Sequence, residues 1–261
     1  MDSSVPLRIT LLGGFVLRKG SSDIGVAASG QRLIALLALR NCPLARTRAA
    51  GTLWPEFSTK RSLAVLRTTL WRVNQSGENI VTSTPSTLEL SANIDIDVLR
   101  LVALTRQLEH SAVGLARVDF NSVTLSELTG DLLPDWYEEW VQDERESLRQ
   151  IRLHGLETLA AAFSRAGRHA DAIQAALAAI RIEPLRETAH RTLIEAHLAE
   201  GNWSEARRHF QECRRLLQEE LGVEPSESMR RLIRREPVFA SPHLLHGGIA
   251  PASRIAAPGQ R

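Results

Sequence analysis

The chain has 261 residues, of which 43% are hydrophobic, so it is long enough for about two domains of ordinary size with buried cores. Its one apolar run of note starts at Leu33 and breaks at Arg40, far short of the roughly 20 residues that span a membrane. The first residues lack a basic leader, and Cys42 and Cys213 stand far apart, so we expect a cytoplasmic protein without membrane segments or disulfides.

Charge is nearly balanced over the whole chain but unevenly distributed. Residues 1–96 contain 11 Lys and Arg against 6 Asp and Glu, a net charge of +5. Residues 97–261 contain 21 against 24, a net charge of −3. This asymmetry is typical of a module that faces nucleic acid joined to a module that faces something else, although a basic half is often only a solvated surface.

Strands and then three helices are predicted at the start of the chain. Residues 7–18 are β-prone around Gly13-Gly14, and a turn at 20–23 leads to a second short extended piece. The helix signals that follow are an N-cap at Ser29 and a stop at Pro43, an N-cap at Thr47 and a stop at Pro55, and an N-cap at Ser58 or Thr59 with an end near Asn74, before Ser76-Gly77.

A β-hairpin is predicted directly after the third helix. The β-prone runs 80–83 and 87–91 lie on either side of Thr84-Pro85-Ser86. Strands, three helices and a hairpin in this order make a winged helix, which is a helix-turn-helix with a β-hairpin added, here with extra strands in front.

The third predicted helix carries four cationic side chains and no acid. At about 100° per residue, its buried stripe is expected to consist of Leu63, Leu66, Leu70 and Val73. The opposite face has short side chains between two arginines and consists of Arg61, Ala64, Val65, Thr68 and Arg72. Such a face suits the DNA major groove, and Lys60 and Arg67 at its flanks suit phosphates. A solvated basic face explains the same pattern, but the hairpin that follows favours DNA.

A 34-residue repeat is visible in the second half. Gly167 aligns with Gly201, and Ala172 aligns with Ala206, both at an offset of 34 residues. This is the period of tetratricopeptide repeats, which form concave protein-binding surfaces and rarely perform chemistry. Further helices are expected in the degenerate region 97–165, because such arrays need about three units.

Catalytic and cofactor motifs are missing from the sequence. Neither Lys19 nor Lys60 follows a glycine, which excludes a Walker A motif. His190 and His197 lie seven residues apart without an acidic or cysteine partner at ligand spacing, so we expect the histidines to be surface or packing residues. We therefore expect no enzyme activity, no cofactor and no metal.

Four motifs resemble the antibiotic-regulatory-protein (SARP) family of actinobacterial transcriptional activators over about residues 7–235. They are SGQRLIALLALR from Ser29, LWP at 53–55, SLAVLRTTLWRV from Ser62 and GDLLPDWYEEWVQDERESLRQ from Gly130. The resemblance implies a mainly α fold. It further implies that a response-regulator-type winged helix at 1–93 is followed by a tetratricopeptide-like bacterial transcriptional activation domain at 94–235. Residues 236–261 are rich in Pro, Gly, Ala and Ser without periodicity, so we expect a flexible tail there.

The resemblance also implies site residues and partners. Helix three becomes the recognition helix for double-stranded DNA, and the wing consists of Thr82, Ser83, Thr84, Ser86 and Thr87. The loop expected to face RNA polymerase consists of Trp54, Pro55, Glu56 and Phe57. Trp136, Tyr137 and Trp140 match an aromatic cluster of the family and are expected to be core anchors.

The preferred interpretation is an activator of a secondary-metabolite gene cluster that binds direct repeats as a homodimer on DNA. The alternative is a tetratricopeptide-type adaptor without specific DNA binding. The feature that distinguishes these two interpretations is the cationic face of helix three, which only the DNA-binding activator requires.

Overall fold

A computed structural model describes residues 6–75, 77–110 and 130–234. Ser76 and the predicted tail at 236–261 lie outside the described residues, as do residues 111–129. The strands are β1 (Leu7–Thr10), β2 (Val16–Lys19), β3 (Ser22–Asp23), β4 (Leu44–Ala45), β5 (Val81–Ser83), β6 (Thr87–Leu90) and β7 (Ile94–Ile96). The helices are α1 (Ala28–Arg40), α2 (Arg46–Leu53), α3 (Thr59–Asn74), α4 (Asp97–His110), α5 (Glu139–Arg165), α6 (His169–Ile182), α7 (Glu187–Glu200), α8 (Trp203–Leu221) and α9 (Glu227–Arg234).

The first sheet has four strands in the order β3-β2-β1-β7. β1 and β2 lie in the stretch predicted to be β-prone and pair as an antiparallel hairpin. The turn between them uses Gly13 and Gly14 at φ 83° and 139°, a backbone region that favours glycine. β7 pairs with β1 in parallel, with Leu7 opposite Ile94. Residues 94–96 therefore complete the sheet that residues 7–23 begin.

The second sheet contains the predicted hairpin and one unpredicted strand. β5 and β6 are antiparallel, with Ser83 opposite Leu88, which confirms the wing hairpin. β4 adds to the other edge of β6, with Leu44 opposite Leu88, so the strand order is β4-β6-β5. Together with α1, α2 and α3, this sheet forms the predicted winged helix.

Two of the predicted helix N-caps are wrong. α1 begins after Ala27 and α2 begins after Ala45, so Ser29 and Thr47 lie inside the first turns of their helices. The pairing of β4 with β6 fixes the chain where α2 begins, without a side-chain cap. Ser58 does occupy the N-cap position of α3, although its hydroxyl accepts no capping hydrogen bond. The end of α3 at Asn74 is as predicted.

The second half contains the predicted helix pairs. α5 turns into α6 at Gly167, and α7 turns into α8 at Gly201, with φ of 73° and 84°. Ala172 and Ala206 are both fully buried where the second helix of each pair packs against the first. The repeat prediction is confirmed. None of the helices in the described ranges is long and apolar enough to cross a membrane.

The two halves meet around a buried carboxylate. Asp97 is 6% exposed and accepts hydrogen bonds from the backbone N–H groups of Leu11 and Leu12, both at 2.9 Å, and of Val98 at 2.7 Å. In addition, the backbone N–H of Gly13 donates to the carbonyl of Asp131, and the backbone N–H of Leu133 donates to the carbonyl of Leu11. One apolar core runs through this junction from the winged helix into α5, α6 and α7.

Aromatic rings reinforce the same junction. Trp136 stacks on Phe15 with 6.3 Å between ring centroids and contacts Trp140 edge-on at the same distance. Trp140 is buried, as expected of a core anchor. Tyr137 is 84% exposed, so its predicted place in the core is wrong. It lies in the short segment between Trp136, which packs on Phe15, and the start of α5.

Candidate nucleic-acid interface

Helix α3 packs its apolar stripe into the core of the winged helix. Leu66, Leu70 and Val73 are buried and Leu63 is half-buried, which confirms the predicted inner face. A Cβ added at Gly30 of α1 would lie only 2.8 Å from a methyl group of Val73. The glycine therefore permits the close approach that holds α3 against α1.

The opposite face of α3 is exposed to solvent. It presents the exposed side chains of Lys60, Arg61, Ala64, Arg67, Thr68 and Arg72. Val65 was predicted on this face, but it is half-buried and packs against the core. Its aliphatic side chain gains more from that apolar contact than from water.

One exposed residue of α3 escaped the sequence analysis. Trp71 is 62% exposed and lies one helical turn after Arg67, on the same flank. Its spacing from Arg67 was the available signal, since residues four apart in a helix share a face. A large indole therefore borders the cationic side chains.

The cations of the N-terminal half fall into two groups. Five form ion pairs with carboxylates, namely Arg8 with Asp95, Arg18 with Asp23, Lys19 with Glu78, Arg32 with Glu138, and Arg40 with Glu144. The other six belong to α2 and α3 and are Arg46, Arg48, Lys60, Arg61, Arg67 and Arg72. Within the described residues, no carboxylate lies at ion-pair distance from any of these six, which we call the basic surface. The excess positive charge of this half is concentrated there.

The loop between α2 and α3 divides into buried and exposed side chains. Trp54 is 6% exposed and belongs to the core, so it does not present its ring to a partner as expected. Pro55 and Glu56 are exposed. Phe57 is half-buried, and the guanidinium of Arg61 lies over its ring at 4.2 Å from the centroid. This contact links the loop to the basic surface.

The wing lies beside the N terminus of α2. Thr82, Ser83, Thr84 and Ser86 are exposed, and Thr87 is half-buried. The guanidinium of Arg46 donates to the carbonyl of Thr84 at 3.0 Å, and the backbone N–H of Arg46 donates to Ser86 at 3.0 Å. These two bonds place a cation at the tip of the wing. Arg46 was not predicted as a site residue, because its approach to the wing depends on the pairing of β4 with β6.

A winged helix with an exposed cationic third helix, joined to paired helical repeats, defines a transcription regulator with two parts. The family model for the bacterial transcriptional activator domain matches residues 96–235, more than half of the chain. The chain belongs to this family, and its sequence motifs resemble those of the antibiotic-regulatory-protein group of transcriptional activators.

Two curated relatives are regulators from Streptomyces. Regulatory protein AfsR of Streptomyces griseus is 30% identical over 259 residues, and that of Streptomyces coelicolor is 29% identical over 254 residues. The alignments cover 90% and 92% of this chain but 25% of each relative. The chain thus spans about a quarter of the length of these relatives.

A solved structure shares the fold. Mycobacterium tuberculosis EmbR, in complex with a low affinity phosphopeptide, superposes with a TM-score of 0.71 at 21% identity. The superposition covers 88% of this chain and 64% of the EmbR chain.

Proposed function

We propose that the chain activates transcription by binding specific DNA sequences through the basic surface. The observation that supports the proposal is that the cations of the N-terminal half divide into a group paired with carboxylates and a group without such partners among the described residues. Five N-terminal cations form ion pairs with carboxylates, whereas no carboxylate in the described ranges pairs with any of the six on α2 and α3. Unpaired cations on adjacent helices attract the phosphates of a duplex and release its counterions.

Sequence recognition would come from the centre of α3. Ala64 and Thr68 are small and exposed, so the helix can enter the major groove with Arg61 and Arg72 on either side. Arginine reads guanine edges with two hydrogen bonds, and the hydroxyl and methyl groups of Thr68 suit either base edges or a thymine methyl. Lys60 and Arg67 at the flanks would contact phosphates.

The wing would contact the same duplex beside the recognition helix. The hydroxyls of the exposed Thr82, Ser83, Thr84 and Ser86, and of the half-buried Thr87, can donate to phosphate oxygens without a charge of their own. Arg46 adds a cation at the wing tip through its bond to Thr84. The contact area would therefore extend beyond α3.

The remaining exposed surfaces would contact the transcription machinery. We assign the interaction with RNA polymerase to Pro55 and Glu56 of the α2–α3 loop and to the helical repeats. The controlled genes would form a biosynthetic cluster for a secondary metabolite, as the antibiotic-regulatory-protein resemblance implies. Two copies of the chain would bind direct repeats, because two winged helices discriminate better than one against competing sites.

A gel-shift experiment with DNA fragments from upstream of the neighbouring genes tests the proposal. We expect Arg61→Ala and Arg72→Ala each to weaken specific binding by about 1–3 kcal/mol where the arginine reads a base. Arg18→Ala is the matched control, because Arg18 is equally cationic but paired with Asp23 on the first sheet. Native-like binding by both α3 variants would exclude α3 from recognition. An absence of specific DNA binding by the native chain would favour the adaptor alternative.

A further inference from the structure

A cluster of three potential metal ligands lies between α7 and α8, remote from the basic surface. His197 comes from α7, and Glu205 and His209 come from α8, four residues apart on one face of that helix. One ligand atom from each residue lies within 4.8 Å of the other two. The carboxylate of Glu205 is 4.0 Å from Nε2 of His209.

The burial of His197 is the observation that points to a ligand. Its side chain is 8% exposed, and neither ring nitrogen has a hydrogen-bond partner. The nearest acid on its own helix, Glu200, is 3.9 Å away, beyond hydrogen-bond distance. Buried polar groups are nearly always bonded, so two orphaned nitrogens in one ring require an explanation. His190 on the same helix shows the usual solution, because its Nε2 bonds to the carbonyl of Pro184 at 2.8 Å.

Both imidazoles are suited to bind a metal through a neutral nitrogen. His197 and His209 stack with 5.2 Å between centroids and 12° between ring planes, which disfavours two positive charges. Burial lowers the pKa of each histidine, which favours the neutral form. Metal binding requires that form, whose lone pair is available.

We propose that His197, Glu205 and His209 form a binding site for one Zn²⁺ ion. Two imidazoles and one carboxylate are a common ligand set for zinc, with the fourth position left to water. Ligand atoms about 2.0–2.1 Å from a tetrahedral ion lie roughly 3.4 Å apart, so the side chains must draw together by about an ångström. Glu205 also pairs with Arg208 at 2.9 Å, and zinc would replace that guanidinium.

Zinc here would join α7 to α8 within the last repeat. The helices already share the second core, which contains Ile194, Ala206 and Phe210. An ion with ligands on both helices adds a cross-link that only the folded state offers, so binding stabilises the fold.

Calorimetric titration of the metal-stripped, tag-free full chain with ZnCl₂ tests the proposal. We expect one Zn²⁺ per chain, and at least tenfold weaker binding in His209→Gln and in Glu205→Gln. The side chains of His209 and Glu205 are 15% and 35% exposed and belong to neither apolar core, so both can be replaced without loss of the core. His190→Gln is the matched control and should bind as the native chain does. His243 and His246 remain in every variant, so the comparison isolates the cluster.

Two further measurements use the same proteins. Zn²⁺ should raise the unfolding temperature of the native chain and leave that of His209→Gln unchanged. Co²⁺ should give the visible absorption of a tetrahedral site in the native chain alone. Absence of saturable Zn²⁺ binding to the native chain, or native-like affinity in both His209→Gln and Glu205→Gln, would overturn the site.

Discussion

The guanidinium of Arg61 lies over the ring of Phe57, 4.2 Å from its centroid. Arg61 is in the first turn of α3, and Phe57 is the last aromatic residue of the loop before it. The ring limits the rotamers of a long, exposed side chain before any partner is bound. Less conformational entropy then remains to be lost when the guanidinium contacts a base or a phosphate.

Phe57→Leu should weaken DNA binding through Arg61. An exposed cation–π contact contributes about 0.5–1 kcal/mol, so we expect affinity to fall roughly two- to fivefold. In an Arg61→Ala background the same substitution should have no further effect on affinity, because the guanidinium that Phe57 contacts is absent. A double-mutant cycle measured by fluorescence anisotropy checks this coupling. Additive losses would show that Phe57 acts independently of Arg61.

Lys60→Ala and Arg67→Ala should weaken binding to all DNA sequences alike. Each flank cation is expected to neutralise one phosphate, so its loss removes about one unit from the slope of log K against log salt. Affinity measured over a series of salt concentrations gives this slope. Arg8→Ala, which removes a cation paired with Asp95, should leave the slope unchanged. A changed base preference in the flank variants would contradict their assignment to phosphates.

Binding by two copies should depend on the spacing of direct repeats. If two copies dock head to tail, as the resemblance to winged helices of the response-regulator type implies, the half-sites should recur every ~10–11 bp, which is one helical turn. Moving one half-site by about five base pairs turns its groove to the opposite side of the duplex, and affinity should fall sharply. Footprinting on the original promoter and on the promoter with the shifted half-site measures the change in affinity. Equal protection of both would contradict paired binding while leaving recognition by a single copy intact.

The sequence was sufficient for the elements that depend on local signals. α3 and the wing hairpin were predicted because an apolar stripe and two β-prone runs lie within residues 58–91. Strands β4 and β7 were missed, since two or three residues carry little signal and their partners are far along the chain. The same limit applies to the candidate site. Helical spacing identified the cations of α3. Tertiary contacts were needed to show which cations are paired with carboxylates, and to show that Val65 faces the core.

Asp97→Ala should destabilise the chain strongly. The substitution leaves the buried N–H groups of Leu11, Leu12 and Val98 without their acceptor, at about 1 kcal/mol or more each. A total loss of about 3 kcal/mol would lower the unfolding temperature by roughly 6–12 °C. Thermal unfolding followed by circular dichroism measures the shift. Asp95→Ala, which breaks only exposed ion pairs with Arg8 and Arg100, should cost at most about 1 kcal/mol.

Only one of the two cysteines should react rapidly in the folded chain. Cys42 is exposed, whereas Cys213 is buried in the second core, and burial raises the pKa of the Cys213 thiol to about 12. The thiolate is the reactive form, so Cys213 is protonated and inert at neutral pH. An aromatic disulfide reagent should therefore release one equivalent of chromophore from the native chain and two in denaturant. Cys42→Ser should abolish the rapid phase, and a rapid phase that persists would contradict the burial of Cys213.

The bonds that join residues 11–13 to Asp97 and Asp131 fix the direction in which the helical repeats leave the winged helix. When the basic surface binds an operator as proposed, the angular position of that operator around the duplex therefore determines which side of the DNA the repeats occupy. An operator moved upstream by half a helical turn would still be bound, but the repeats would then lie on the opposite side of the DNA from the polymerase. Promoter output would rise and fall with the period of the double helix as the operator is moved, while occupancy stays constant.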